Sequence, residues 1–182
     1  VRAIELHSKA QVEIGWACLH LARRLRADGF KVVFTGEGSD ELWASYGNTS
    51  FHGIAKQGWT EYRKSVFVGQ HRKNFARCNK VFMAHGVEAR LPFLHTRLVE
   101  WGMNLKPEAV FKEVDGEKRR GEKWHLRSGM DGTGLIPSAI AARTKQAFQD
   151  GAGLIEAAAA AVHDPQRFYR MEFGNAFGGV EI

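Results

Sequence analysis

Between Phe30 and Gly47 the chain reads F-K-V-V-F-T-G-E-G-S-D-E-L-W-A-S-Y-G, an apolar run that breaks at two glycines and resumes as an acidic helical start. A short apolar run bounded in this way predicts a fully buried strand over Phe30 to Thr35. A strand that feeds a helix through a glycine loop belongs to open parallel α/β architecture, where ligands bind beyond the carboxyl ends of the strands. Gly36 and Gly38 let the backbone turn tightly and approach a ligand, while Glu37 and Asp40 set two carboxylates three residues apart over the strand end. Oxygen ligands suit magnesium, which is usually held by one or two carboxylates and the phosphates of a bound substrate. Gly36, Glu37, Gly38, Ser39 and Asp40 are therefore a candidate nucleotide loop, with Glu37 and Asp40 as candidate metal ligands. The same residues also fit an acidic strand-to-helix turn in which Asp40 and Glu41 complement the helix dipole.

Upstream, Ser8-Lys9-Ala10-Gln11 has the form of a capping box, and Ala10, Ile14, Ala17, Cys18, Leu21 and Leu25 form a helical stripe ending at Asp28-Gly29. Downstream of the loop helical patterns dominate, around Trp59 to Gln70, Lys73 to Ala84, Thr96 to Gly102 and Ile155 to Val162. Pro92, Pro107, Pro137 and Pro165 are read as breaks. One convincing strand does not make a sheet, so the remaining strands are expected from elsewhere.

The chain has 182 residues, 44% of them hydrophobic, enough for one globular unit with a core, expected over 1–182. It has no apolar run of transmembrane length, and two widely spaced cysteines fit a reducing compartment, so a cytoplasmic location without a membrane is expected. A net charge of +6 asks for an anionic partner. The densest basic group, Lys118-Arg119-Arg120 with Lys123, lies in a stretch read as an exposed loop. Only Trp124 stands near enough to interleave, so nucleic acid is not the expected ligand.

Three further segments carry a more specific signal: Arg77-Cys78-Asn79-Lys80, Gly86-Val87-Glu88-Ala89-Arg90-Leu91-Pro92-Phe93-Leu94, and Arg143-Thr144-Lys145-Gln146-Ala147-Phe148-Gln149-Asp150-Gly151. With the G-E-G-S-D-E loop, they resemble in order and approximate spacing the synthetase domain of class B, glutamine-dependent asparagine synthetases. Its pattern runs G-E-G-S-D-E, R-x-N-K, G-V-E-A-R-x-P-F-L-D and R-x-K-x-x-F-x-D-G. The resemblance spans Ile4 to Val162 and implies ATP-dependent, AMP-forming amide-bond synthesis through an acyl-adenylate, with ATP and Mg2+. By the same resemblance Glu37 and Asp40 belong to the magnesium and adenylate site, and Lys145 is the cation that steadies departing pyrophosphate. Lactam-forming relatives pair a tyrosine with a glutamate to deprotonate the amine, and Tyr46 and Glu88 most nearly match. A Tyr46 packed behind the loop, with Glu88 paired to Arg90 or Arg77, is the structural alternative.

The fold implied is α/β, the C-terminal and mostly helical half of an ATP-pyrophosphatase-type nucleotide-binding domain, its parallel sheet completed by a missing segment or a partner chain. The family's S-G-G-x-D-S pyrophosphate loop does not occur in these residues, nor does the glutaminase domain with its nucleophilic cysteine. The expected partners are thus a chain or upstream segment carrying that loop, a glutaminase domain or subunit, and a small carboxylic acid substrate. A lactam- or macrolactam-forming relative and a non-catalytic subunit are the other readings. Where the family usually places an aspartate after P-F-L, this chain has His95, and Trp43-Ala44-Ser45-Tyr46 replaces an aromatic, two glycines and a tyrosine. Ala44 is expected to favour a helix there and to add bulk near the substrate pocket. The tail from His163 to Ile182 departs from the family, and its aromatics are expected to pack on a core or on a partner.

Overall fold

The computed structural model describes residues 1–113, 116 and 122–178. Along the chain run α1 (Lys9–Ala27), β1 (Val32–Phe34), α2 (Ser39–Leu42), α3 (Asn48–Gln57), α4 (Trp59–Gly69), α5 (Asn74–Met83) and β2 (Glu88–Arg90). They are followed by α6 (Thr96–Met103), α7 (Pro107–Val110), α8 (Trp124–Gly132), α9 (Ser138–Ala141), α10 (Phe148–Gly151), α11 (Leu154–Ala161) and α12 (Pro165–Phe177). These elements form two compact units. The first comprises Val1–Thr35, Gly69–Leu91 and Gln146–Ile182, and the second Gly36–Val68 and Pro92–Lys145.

In the first unit α1 packs along α5, around a core of Ile4, Val12, Ala22, Cys78, Val81, Phe82 and Val87. The buried face of α1 is rotated from the expected stripe: Val12, Gly15 and Ala22 are buried, while Leu21 is 49% exposed. Small residues explain the shift, because a Cβ on Gly15 would already stand 3.2 Å from Ile4. The expected capping box does not form either. Ser8 occupies the N-cap without a side-chain bond, and Gln11 instead joins Asn74 (2.8 Å) and the buried Arg77 (2.6 Å).

The sheet has two parallel strands, with Val32 opposite Glu88, Val33 opposite Ala89 and Phe34 opposite Arg90. The G-V-E-A-R segment is thus a strand, and β1 does not stand alone. The expectation of a fully buried Phe30 to Thr35 is corrected. The strand covers only Val32–Phe34, and Phe30, Val32 and Phe34 are 55%, 37% and 71% exposed. The two-residue period of a strand points these three to one face and Val33 to the other. Val33 and Ala89 meet the core, so only that face of the sheet is covered within the unit.

Prolines read as breaks begin helices: Pro107 and Pro165 stand in the first turn of α7 and α12, where their missing N–H costs nothing. Hence residues 165–177 of the tail are a helix. α12 returns to the first unit, where Phe173 is buried and meets His7 edge-on at 5.0 Å. Gln166 accepts from the Lys9 N–H (2.9 Å) and donates to the His7 carbonyl (3.2 Å). A distant glutamine thereby serves the α1 N-terminus that Ser8 leaves uncapped. No helix among the described residues is long and apolar enough to cross a membrane.

The second unit is helical, with Leu42, Trp43 and Val110 at its apolar centre. The close meeting of α3 and α4 depends on Gly53, where a Cβ would lie 2.2 Å from the Tyr62 ring. Beside that centre sits Arg63, 1% exposed, stacked 4.5 Å over Trp59. Its guanidinium donates to the carbonyls of Leu42, Gly102, Met103 and Leu105. Those oxygens lie at or just beyond the ends of α2 and α6, so one buried cation satisfies acceptors that helix termination leaves open.

Candidate active site

The acidic loop lies in the second unit. Gly38 adopts φ +95°, which side chains rarely tolerate, and a Cβ there would fall 2.6 Å from Leu94. Glycine is thus required twice over, by conformation and by space. Immediately after it, the single turn of α2 presents Ser39, Asp40 and Glu41. The turn ends in a Schellman arrangement: Ser45 N–H reaches the Asp40 carbonyl at 2.8 Å and Ala44 N–H the Glu41 carbonyl at 3.5 Å. Ala44 is therefore not helical, contrary to expectation. It occupies the left-handed position at φ 46°, where the family pattern has glycine, and the residue is 1% exposed.

Asp40 receives two lysines. Lys145 Nζ stands 3.2 Å from its Oδ2, and Lys123 Nζ is ion-paired with its Oδ1. Lys123 also donates to Ser39 Oγ at 3.0 Å. The three charged side chains are between 17% and 27% exposed, which places the cluster at a partly screened surface. Two residues from separate motifs, 105 positions apart, thus meet. Lys123 was read as part of a solvated basic run and is instead half-buried in the site. The other members of that run, Lys118, Arg119 and Arg120, lie outside the described residues. Lys123 stands at φ 55° just before α8, a backbone setting that charge density along a sequence does not disclose.

Tyr46 donates to Glu41, which is 1% exposed. Burial raises the phenol well above its ordinary range, reinforced by the negative charges of Glu41, Asp40 and Glu37. Glu122, equally buried, accepts from the Gly47 N–H at 3.0 Å and holds the chain that follows the loop. Neither Glu41 nor Glu122 was singled out from sequence as a site residue. Glu88 belongs to the first unit. There Arg90 donates to its carboxylate at 2.8 Å, and that bond holds its pKa below the usual range. Each member of the expected Tyr46 and Glu88 pair is thus bonded within its own unit. His95, standing for the family's aspartate, is the N-cap of α6 and makes no side-chain cap bond. An aspartate there would supply one.

The oxygen donors of Glu37, Ser39 and Asp40 are the chemistry a magnesium ion prefers. Among the described residues no group of three or more His, Cys, Asp or Glu side chains is gathered to hold a metal without a substrate.

The asparagine synthase family model matches residues 2–76 and 55–166 of the chain. The glutamine-hydrolyzing asparagine synthetase 2 of Lotus japonicus is 32% identical over 153 residues, covering 82% of this chain and 25% of its own. Asparagine synthetase 1 of Saccharomyces cerevisiae is 37% identical over 140 residues, with 73% and 24% covered. A probable asparagine synthetase of Dictyostelium discoideum is 31% identical over 159 residues, with 84% and 28% covered. The chain spans about a quarter of the length of these curated relatives. It belongs to the asparagine synthase family.

Proposed function

We propose that this chain supplies the acidic-loop part of an ATP-dependent, AMP-forming ligase that makes amide bonds. A small carboxylic acid is adenylated with loss of pyrophosphate, and an amine, with ammonia from a glutaminase domain or subunit as the first choice, then displaces AMP. The observation that carries this reading is Lys145 on Asp40, which joins the R-x-K-x-x-F-x-D-G and G-E-G-S-D-E motifs in one cluster. Glu37 and Asp40 would hold magnesium, whose chemistry there is to neutralise phosphate charge. Gly36, Gly38 and Ser39 shape the loop so that its backbone comes close to the nucleotide. Lys145 acts as a compact point charge toward the leaving pyrophosphate, and stabilising charge where it develops is usually the largest catalytic effect.

Tyr46 donates to the buried Glu41 carboxylate behind the loop, and a lactam-forming relative stays the second reading of the site. The open face of β1, with Phe34 71% exposed, supports completion of the site by an upstream segment or partner chain carrying the S-G-G-x-D-S loop. Such a contact is expected to be extensive and apolar, over ~2,000 Å² in total.

The test is isotope exchange between pyrophosphate and ATP across candidate carboxylic acids, with this chain alone and with the complementing segment. Exchange is expected only in the second case. Robust exchange by the chain alone, or none with any complement, overturns the reading. In the active assembly Lys145→Met is expected to lower single-turnover adenylation by about a hundredfold or more, with complement binding little changed. Intact adenylation with slowed amide formation would move Lys145 to the second step.

A further inference from the structure

The Asp40 carboxylate is shared between two ammonium groups, one on each oxygen, and Lys123 is further tied to Ser39. From this geometry we infer a counter-ion exchange. Lys123 and Lys145 occupy the coordination space of Asp40, so a cation gains that carboxylate only as the lysine charge is drawn to an anion. The inference rests on the nucleotide-loop reading above and deepens it. It assigns to Lys123 a positioning role, and it makes cation and anion binding at this loop cooperative.

The physical basis is electrostatic. A divalent cation approaching Asp40 meets two positive charges held against the same carboxylate, and a polyphosphate approaching the lysines meets the negative charge that holds them. The cluster is only partly exposed, so water screens these effects incompletely. Each ligand then removes the obstacle to the other, and thermodynamic linkage makes the coupling reciprocal. A side chain that merely braced the loop would have another signature, since its loss would weaken both ligands together.

The experiment is calorimetric titration of the chain with Lys123 or Asp40 altered. In chelator, with no divalent cation, inorganic pyrophosphate is expected to bind Asp40→Asn about threefold more tightly than the unaltered chain, or better. With no anion present, magnesium alone is expected to bind Lys123→Met about threefold more tightly, while the same variant binds pyrophosphate more weakly. Lys123→Arg, which keeps the charge, should restore the unaltered magnesium affinity.

If Lys123→Met leaves magnesium affinity unchanged or lowers it, the exchange is wrong. Equal pyrophosphate affinity in Asp40→Asn and the unaltered chain also overturns it, and both results leave the ligase reading standing. If pyrophosphate binds none of the proteins, the coupled exchange is overturned even where Lys123→Met gains magnesium affinity, and the isotope-exchange test of the ligase reading is untouched.

Discussion

Apolar side chains fill most of the first unit where α1 meets α5, with one buried carboxylate, Glu13, paired to Lys9, whereas the second unit buries Arg63, Glu41 and Glu122 to 1% exposure beside Leu42 and Trp43. The first unit has its own buried arginine, Arg77, but that one is held by the side-chain amides of Gln11 and Asn74. Arg63 is held by backbone carbonyls at the ends of two helices. The difference shows how each unit is fixed. Apolar packing tolerates adjustment if volume is kept, while a buried cation with several carbonyl acceptors demands one backbone arrangement. The candidate site is built on the second kind of core, with the Leu42 carbonyl, an Arg63 acceptor, only two residues beyond Asp40.

The contrast can be broken most sharply at Arg63. Replacing it with methionine keeps most of the length and leaves the carbonyls unpaired, so the second unit should lose about 3 kcal/mol or more, read from urea unfolding. A loss below about 1 kcal/mol would mean that apolar packing dominates there as well. The first unit should respond more gently. Gln166→Ala removes the cap of α1 supplied by α12 and should cost about 1 kcal/mol, with hydrogen exchange rising first in the opening turn of α1. Smallest, and opposite in sign, is Ala44→Gly. Relief of the left-handed alanine outweighs the added freedom of the unfolded chain, giving a net gain of about 0.5 kcal/mol measured the same way. A loss at this position would show that the buried methyl group contributes more packing than the backbone loses in strain.

Much of the site was readable because its signals are local and several residues long. The glycine-hinged acidic loop was recognisable as such. The helices α4, α5, α6 and α11 followed from periodicity. What escaped depends on contacts between distant segments. The inward face of α1 turns on the small size of Gly15 and Ala22, which an apolar stripe does not weigh. Pro165 was read as a break although a proline in the first helical turn begins α12. The burial expected for β1 treated an apolar run as covered on both faces, yet its own unit covers one. Lys123 and Glu122 sit in a charge-rich stretch whose composition suggests solvent, and only the tertiary arrangement turns them toward Asp40 and Gly47. Ala44 looked like a helix former because propensity describes helix interiors, while its position is the left-handed residue that ends one.

The first unit is assembled from three separate stretches, Val1–Thr35, Gly69–Leu91 and Gln146–Ile182, with the second unit's sequence looped out between them. During synthesis α1 and β1 leave the ribosome long before α5 and β2 can pair with them, and α12 arrives later still. Bringing such distant segments together slows folding, and the wait leaves Val33 and the pairing edge of β1 without their partners. For that interval the nascent chain depends on chaperones more than its finished contacts would suggest. Slowing translation between Thr35 and Gly69 should lengthen this exposure.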